Sequence, residues 1–419
     1  MCFNETANPF SEFKSDKTMN RPHGTVKITF SGDIMCDYLE VPAYKTETGD
    51  YDFNEMFKDC KSYFSLSDYV VGNLETPIAN AKYSDKPYDF NSPLEFAEAI
   101  RDNGFSMVTT ANNHCLDRDI SGLEDTIMAL DTIGIKHTGT NIKDLIPSGI
   151  VETIGNMKIG FLSYTYGTNA FFNSHYLGKA EKWKVNLYQE QELNNPIYRS
   201  LYNSSFCSYA RRTVNFVSRC ILHKNIFCDV YERNEKKNSF LKRMKKDIQA
   251  LKDTGGAEYV VMCLHSGGQY NLKPLTKTKK IALQIASMGV DAIIINHEHI
   301  VHHGEVISDK IVVYSLGDFT STAGVHCKPY DKMANYSVVF NLYLAKENEI
   351  VKPVDVTFSI LKTIPAGENR VKTVFLFDLI RNCTDIDEQN ELLQDNLKVH
   401  NLFRNIKETE IELKLEYRL

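Results

Sequence analysis

The sequence predicts an α/β fold, in which helices cover the faces of β-sheets. Six short runs are rich in Val, Ile, Thr or Tyr and stop at Gly or Asn, which is typical of a strand and its exit turn. Segments with helical spacing of apolar residues separate several of these runs, and this alternation indicates sheets flanked by helices. The six strand-like runs cover residues 26–33, 69–75, 106–114, 259–268, 291–299 and 310–318.

The helical segments share apolar residues at helical spacing and a glycine at or near the end, and they cover residues 93–104, 121–134, 239–255 and 276–289. The second of them also opens with Ser121 followed three residues later by Glu124, a capping-box pattern. A strand, a loop, a helix and another strand therefore follow one another along much of the chain.

Each strand-like run ends on side chains that can bind a metal ion. In α/β sheets ligands bind outside the carboxyl ends of the strands, so we expect these side chains to converge on one pocket. They are Asp33, Glu75, Asn112, Asn113, His114, His265, His297, His299 and Asp318. Any one of them has an ordinary explanation as a turn residue or a core histidine. Their coincidence at the ends of strands favours a metal site.

The chemistry of six of these residues predicts two metal ions. Two carboxylates, one amide and three imidazoles are contributed by Asp33, Glu75, Asn113, His265, His297 and His299. The set is too large for one tetrahedral ion and too rich in nitrogen for calcium. It suits a pair of borderline ions such as Zn, Mn, Fe or Ni, held roughly 3.5–4 Å apart by a bridging carboxylate. Such a pair supplies hydroxide near neutral pH, which predicts hydrolysis or transfer at a phosphate ester.

The motifs also resemble, in their order, those of the CapA (poly-γ-glutamate capsule synthesis) family of calcineurin-like metallophosphoesterases. The resemblance covers about residues 25–322. It is carried by Ser-Gly-Asp33-Ile-Met, Gly-Asn-Leu-Glu75, Ala-Asn-Asn113-His114, Leu-His265-Ser-Gly, His297-Glu-His299 and Leu-Gly-Asp318-Phe. The resemblance implies a four-layer α/β sandwich of the metallophosphoesterase type, with a dinuclear site at the strand ends.

The resemblance also implies a role for each ligand. Asp33 and His299 would bind the first metal ion, and Glu75 would bridge the two ions. The second ion would be bound by Asn113, His265 and His297. The expected cofactors are therefore two divalent transition metal ions, Mn, Zn or Fe.

Three further residues would assist without binding metal, and several positions around the site depart from the family pattern, among them Met35 and Glu298. His114 would stabilise charge at the scissile phosphate or protonate the leaving oxygen. Asn112 would position its loop, and Asp318 would hydrogen-bond a ligand histidine or cap its turn. Met35 replaces the histidine of the wider superfamily, which leaves the first metal one imidazole short, and Glu298 stands where the branch usually has a proline.

Residues 166–238 interrupt the alternation of strands and helices. The stretch is rich in aromatic residues, and residues 166–225 carry eight Lys or Arg and three Glu. We interpret it as a cap over the metal site. Because guanidinium matches phosphate and carboxylate, its candidate substrate contacts are Arg211 and Arg212, with Arg199 and Arg219. The alternative is a solvated helical face on an inserted subdomain.

The predicted organisation is a flexible segment at 1–24, a catalytic domain at 25–362 that contains the cap, and an extension at 363–419. Alternating residues at 336–344 and 351–362 predict antiparallel strands, expected in the second sheet of the sandwich. Residues 388–419 have a helical pattern with one leucine stripe, which would pack on the body or mediate a homodimer.

Composition indicates the expected cellular compartment and the expected classes of binding partner. The chain has 419 residues, 42% hydrophobic content and a net charge of −6, which gives no reason to expect nucleic-acid binding. Ten cysteines without a Cys-x-x-Cys pair favour free thiols in a reducing compartment, and no apolar run has the length of a signal peptide or membrane anchor. We therefore expect a cytoplasmic enzyme that acts on an anionic small molecule or polymer.

The function expected first is metal-dependent hydrolysis of a phosphate ester by a metal-activated hydroxide, with His114 assisting. The alternatives are a capsule or poly-γ-glutamate biosynthesis component that acts on a glutamate polymer, and a metal-stabilised binding protein without turnover. A binding protein needs ligands but no free imidazole beside them, so His114 favours an enzyme.

Overall fold

Two β-sheets and ten α-helices make up the described part of the chain, which in this computed structural model comprises residues 24–191, 205–222, 238–320 and 332–419. The strands are β1 (Val26–Ile34), β2 (Tyr69–Leu74), β3 (Met107–Thr109), β4 (Lys136–Thr138), β5 (Ile150–Ile154), β6 (Met157–Thr165), β7 (Tyr259–His265), β8 (Ala292–Asn296), β9 (Val301–Ile307), β10 (Lys310–Leu316), β11 (Asp318–Thr320), β12 (Tyr336–Glu347), β13 (Ile350–Gly367), β14 (Arg370–Phe375) and β15 (Tyr417–Arg418). The helices are α1 (Glu40–Ala43), α2 (Asn54–Phe64), α3 (Leu94–Asp102), α4 (Asp119–Ile133), α5 (Ala170–Asn173), α6 (Ser205–Leu222), α7 (Asn238–Asp253), α8 (Thr276–Ala286), α9 (Leu376–Asn382) and α10 (Ile386–Arg404).

The first sheet has the strand order β14-β13-β12-β1-β2-β3-β4, with β11 paired to β1 and β15 paired to β13. Strands β1 to β4 run parallel, whereas β12, β13 and β14 join antiparallel. The second sheet has the order β5-β6-β7-β8-β10-β9, and its four central strands are parallel. The parallel strands carry long buried apolar runs because both faces of each sheet are covered.

The two sheets pack face to face between outer layers of helices. Alternate residues of each strand point to opposite faces. Accordingly, Val71 of β2 belongs to the core between the sheets, and its neighbour Val70 packs with residues of α2 and α3. In the second sheet Val261 faces the inter-sheet core, and Val260 packs with residues of α7 and α8. The layers are thus helix, sheet, sheet and helix, and the predicted four-layer sandwich is confirmed.

Two details of the predicted organisation were wrong. Strands β12 and β13 extend the first sheet, because β12 pairs antiparallel with β1 from Val26 opposite Leu344 to Phe30 opposite Phe340. The helical pattern beyond residue 388 also ends early, because Asn405 adopts a left-handed conformation with φ 54° at the end of α10. That helix packs on the body, where Phe403 is buried in the inter-sheet core.

A close contact at the end of β1 depends on glycine. A Cβ atom at Gly32 would lie 1.9 Å from the carbonyl oxygen of Gly317. That same oxygen accepts a hydrogen bond of 3.1 Å from the amide of Asp33. The absence of a side chain therefore lets β1 approach the chain before β11, and the carboxylates of Asp33 and Asp318 are carried by this junction.

We expect Gly32→Ala to lower the free energy of unfolding by about 3 kcal/mol or more, because backbone on both sides would have to separate. Denaturant titration measures the change. Gly178→Ala is the matched control, since the nearest atom there is a carboxylate oxygen of the flexible Glu181 side chain, and it should change stability by at most about 0.5 kcal/mol. Equal stability of the two variants would contradict the packing argument.

Candidate metal centre

The carboxyl ends of strands from both sheets meet at one buried cluster of polar side chains. Asp33 lies opposite Asn73 in β2 and opposite Asp318 in β11. In the second sheet His265 ends β7 opposite Asn296, which ends β8 and precedes His297. Parallel pairing thus brings residues that are distant in sequence to the same edge. All six predicted ligands are buried here, with exposed fractions between 0 and 6%.

One half of the cluster contains Glu75, His265 and His297, whose donor atoms lie within 4.8 Å of one another. The Nε2 atom of His265 is 3.4 Å from Oε1 of Glu75 and 2.6 Å from Oδ1 of Asn113. The four residues together offer two imidazoles, a carboxylate and an amide oxygen to a common point. This is a donor set that Zn, Mn and Fe accept.

The other half contains Asp33, His299 and Asp318, again with donor atoms within 4.8 Å of one another. The Nδ1 atom of His299 lies 2.7 Å from Oδ1 of Asp318 and 3.8 Å from Oδ2 of Asp33. Asp318 was predicted to contact a ligand histidine or to cap its turn, and it contacts the histidine. Its carboxylate is also close enough to Asp33 to offer a ligand of its own.

Unpaired buried atoms test whether these residues fit a metal. Within the described residues, both carboxylate oxygens of Glu75 and both ring nitrogens of His297 have no hydrogen-bond partner, and Oδ2 of Asp318 has none either. Buried polar atoms are normally hydrogen-bonded, and leaving one unpaired costs about 1–3 kcal/mol. Five such atoms in one pocket, all of metal-binding types, fit a site for divalent ions.

The pKa values of the cluster reflect burial and mutual repulsion. Burial, together with the charge of Glu75, raises the pKa of Asp33 well above its usual value, and burial also raises the pKa of Glu75. Burial lowers the pKa of His265 to about 3 and lowers that of His297 well below normal. For His299 burial is outweighed by Asp318, Glu75 and Asp33, which raise its pKa to about 10. A divalent ion would compensate the buried negative charge that these carboxylates carry.

His114 lies beside the cluster and has its own carboxylate partner. Its Nδ1 atom is 2.6 Å from Oδ2 of Asp117, and both side chains are buried. The amide nitrogen of Asn169 lies 3.3 Å from Nε2 of His114, and the Oδ1 atom of Asn169 accepts a hydrogen bond from Asn113. Burial opposes the charged imidazole, but Asp117 outweighs it and raises the pKa of His114.

Three residues of this site were not found from the sequence, namely Asn73, Asp117 and Asn169. Asn73 donates from Nδ2 to Oδ1 of Asp33 at 2.8 Å. A signal existed for Asn73, which precedes Glu75 by two residues on the same strand, and for Asp117, which follows His114 by three. No local signal marked Asn169, because its contact with His114 depends on the tertiary arrangement.

The predicted role of Asn112 concerns its loop, and its contacts lie there. Its amide nitrogen donates to the backbone oxygen of Leu74 at 2.7 Å, and its Oδ1 accepts from the backbone amide of His114 at 3.1 Å. Asn112 thereby ties the His114 loop to β2.

The predicted substrate contacts Arg211 and Arg212 lie in α6, but their side chains are outside the described residues, as are those of Arg199 and Arg219.

The turn that carries the paired histidines is held by Glu298. His297 and His299 have positive φ angles of 110° and 58°, a backbone conformation that residues other than glycine rarely adopt. Glu298 accepts hydrogen bonds from the amide of Gly268 at 2.8 Å and from the side chain of Asn271 at 3.1 Å. These contacts fix a backbone that is otherwise strained, so Glu298 stabilises the turn that carries both histidines.

We expect Glu298→Ala to weaken metal binding by about 10–100-fold, the usual effect of removing an outer partner of metal ligands. Metal titration of the purified variants measures the change. Glu298→Gln, which keeps an acceptor oxygen for Gly268, should retain most of the affinity. Glu305→Ala provides a control on the nearby strand β9, and equal affinity in all three variants would contradict the role of Glu298.

These features define a class of protein: a four-layer α/β sandwich with candidate metal-binding groups at the ends of its strands. The chain matches the family described as "Bacterial capsule synthesis protein PGA_cap" over residues 27–323, and it belongs to that family. The motifs resembled the CapA capsule-synthesis family, so the expected family is confirmed.

Two relatives from Bacillus align with most of this chain. "Capsule biosynthesis protein CapA" of Bacillus anthracis is 24% identical over 314 residues, which are 73% of this chain and 62% of the relative. "PGA biosynthesis protein CapA" of Bacillus subtilis (strain 168) is 22% identical over 301 residues, which are 71% of this chain and 63% of the relative. The alignments thus span less than two thirds of either relative.

Solved structures give looser overlaps. The calcineurin-like phosphoesterase YfkN from Bacillus subtilis aligns at 14% identity and a TM-score of 0.42, covering 90% of this chain and 97% of that one. The 5′-nucleotidase from Candida albicans SC5314 aligns at 8% identity and a TM-score of 0.35, covering 80% and 52%. The fold assignment rests on the two sheets and their registers.

Among the described helices, none is both long enough and apolar enough to cross a bilayer.

Proposed function

We propose that this protein is a metal-dependent phosphoesterase that hydrolyses a phosphate ester. The observation that carries the proposal is the buried cluster of unpaired donor atoms, with a histidine–carboxylate pair beside it. Unpaired buried atoms destabilise a fold, so their concentration at one point is better explained by a ligand than by stability. A metal-stabilised binding protein would have no use for the His114–Asp117 pair.

The proposed cofactors are two divalent ions, Mn, Zn or Fe. One would be held by Asp33 and His299, with Asp318 as an additional candidate ligand, and Glu75 would be shared. The other would be held by Asn113, His265 and His297. When bound, such ions neutralise the charge that develops on phosphoryl oxygens and lower the pKa of water.

The chain's own residues would position and protonate the substrate. The carboxylate of Asp117 accepts the Nδ1 proton of His114 and favours the charged imidazole, which leaves Nε2 as the atom that can deliver a proton to the leaving oxygen. The backbone contact from Asn112 and the side chain of Asn169 limit the movement of that ring. Arg211 and Arg212 remain proposed contacts for an anionic substrate.

A second function is favoured by the family itself. The family description and both Bacillus relatives refer to capsule or PGA biosynthesis. In this alternative the protein would act on a glutamate polymer, transferring or binding its chain. The same cluster would then hold the metal, and carboxylates would replace phosphate as the bound anions.

The test combines elemental analysis with hydrolysis of p-nitrophenyl phosphate and bis-p-nitrophenyl phosphate in the presence of Mn or Zn. Bound metal near two ions per chain together with turnover supports the phosphoesterase. Bound metal without turnover of either ester contradicts it and favours the polymer-related function. Absence of metal binding under all of these conditions would contradict both.

A further inference from the structure

The chain that follows β6 lines the metal centre. Thr165 ends β6 opposite His265 of β7, and the backbone amide of Tyr166 donates to the backbone oxygen of His265 at 3.2 Å. The ring of Tyr166 packs against that of His297, with 4.7 Å between the ring centroids. Asn169 follows in the same segment and is only 7% exposed. This segment therefore forms a buried wall of the site.

Contact with Asn113 fixes the orientation of the Asn169 amide. The Oδ1 atom of Asn113 faces the candidate metal ligands, since it lies 2.6 Å from Nε2 of His265. The Nδ2 atom of Asn113 donates instead to Oδ1 of Asn169, at 3.2 Å. Because the oxygen of Asn169 is used in this contact, its amide nitrogen is directed to the other side, toward His114.

The amide nitrogen of Asn169 can donate more hydrogen bonds than the protein accepts from it. It lies 3.3 Å from Nε2 and 3.4 Å from Nδ1 of His114, and that Nδ1 atom is already 2.6 Å from Asp117. The two ring nitrogens direct their hydrogen bonds apart, so a donor almost equidistant from both is well aligned with neither. An amide nitrogen carries two N–H groups, and the described residues provide no other acceptor for them. At least one N–H is thus available to a bound ligand.

Asn173 is, by contrast, an amide that the protein itself satisfies. Its nitrogen donates to the backbone oxygen of Thr168 at 2.9 Å and lies 3.4 Å from the backbone oxygen of Leu116. It is also 3.5 Å from Oδ1 of Asp117. Asn173 thereby secures the segment through contacts with protein, whereas Asn169 directs a donor into the site.

We propose that Asn169 binds the substrate, with its amide nitrogen donating to a non-bridging oxygen of the phosphoryl group; this contact presupposes the proposed phosphoesterase function. A substrate that is held near Asn113 and protonated by His114 lies beside Asn169, which contacts both residues. The leaving oxygen is the partner of His114 in the proposed reaction, so a non-bridging oxygen is the acceptor for Asn169. A hydrogen bond to a charged phosphoryl oxygen is stronger than one between neutral groups.

Two substitutions remove this donor without straining the backbone. Asn169 has a φ angle of 53°, in the left-handed region that Asn, Asp and Gly adopt more readily than other residues. Asn169→Asp keeps the shape of the side chain and an acceptor for Asn113, but it has no N–H group. Asn169→Gly removes the side chain. Asn173→Ala is the matched control, because it loses an amide from the same segment but no donor to the site.

The test is calorimetric titration of inorganic phosphate into the full chain saturated with Mn. We expect both Asn169 variants to bind phosphate at least about tenfold more weakly than the unmodified protein, because a hydrogen bond to a charged group is lost. Asn173→Ala should bind phosphate as the unmodified protein does. Thermal unfolding checks that each variant is folded, and elemental analysis checks that its metal content is unchanged.

Kinetics locate the contact on the substrate. If Asn169 contacts a non-bridging oxygen, Asn169→Gly lowers kcat/KM by the same factor for p-nitrophenyl phosphate and for phenyl phosphate. A loss that is greater for phenyl phosphate, which has the poorer leaving group, would place the amide at the leaving oxygen and overturn the assignment.

Two binding results would also overturn the proposal. One is equal phosphate affinity in the unmodified protein and both Asn169 variants at saturating Mn; a difference seen only at limiting Mn would show that Asn169 merely orients Asn113. The other is an absence of phosphate binding by the Mn-saturated unmodified protein. Phosphate binding that depends on Asn169, without hydrolysis of any ester, would contradict the phosphoesterase and still support the contact, so the two proposals fail separately.

Discussion

Purified His297→Ala protein is expected to contain about half or less of the metal of the unmodified protein, because one of two sites loses an imidazole. Both ring nitrogens of His297 are buried without a hydrogen-bond partner in the described part of the chain, so the substitution removes no side-chain hydrogen bond to the protein. The affinity for Mn or Zn should fall by more than the roughly 10–100-fold that an outer partner contributes. Elemental analysis and metal titration measure the effect.

Comparing His297→Ala with His400→Ala distinguishes a metal ligand from a structural histidine. His400 is also buried, but it packs against Phe358 and Tyr417, far along the chain in α10. His400→Ala should lower the free energy of unfolding and leave the metal content unchanged. If His297→Ala retains full metal stoichiometry and affinity, the proposed ligand set is refuted, whatever happens to stability.

His265→Ala should lose metal as well, but for a more complex reason. Its ring contacts Asn113, Glu75 and Asn73, so its removal leaves other polar atoms without a neighbour. The variant is therefore expected to lose stability in addition to metal. Comparing the two histidine variants distinguishes a direct loss of binding from a loss of packing around the site.

The strands could be predicted because their information is local. A run such as that of β7, which is buried on every residue from Tyr259 to His265, shows its character within seven residues. The information that assigns β12 to a sheet is not local. Its alternating pattern would be the same in either sheet, and the long-range pairing of residues 26–30 with 340–344 places it in the first sheet.

Some residues of the site could likewise be predicted from local sequence, whereas others depend on tertiary contacts. Residues of metal-binding type could be found because they end apolar runs, and the structure brings all six to one buried cluster. Their hydrogen-bond partners were harder to predict, since Asn73 contacts Asp33 only through the register of β1 with β2. Asp318 shows the limit of local reasoning, because the sequence left two roles open and tertiary contact with His299 decided between them.

We expect His114→Ala to lower turnover by about 10²–10⁴-fold while the metal content stays unchanged, because general acid catalysis contributes that range. The size of the loss should depend on the leaving group. p-Nitrophenolate leaves readily without a proton, so its ester should suffer less than phenyl phosphate or an alkyl phosphate. Steady-state rates with this series of esters, measured beside elemental analysis, give the comparison.

Asp117→Asn is the companion variant, since the carboxylate reaches the substrate only through the imidazole. Removing the charge of Asp117 lowers the pKa of His114 and weakens the hydrogen bond that orients its ring. We therefore expect a smaller loss of turnover than in His114→Ala, with the same dependence on the leaving group. A loss that is equal for all esters would indicate that His114 only shapes the site. Unchanged turnover in His114→Ala would remove the proton donor from the proposed reaction.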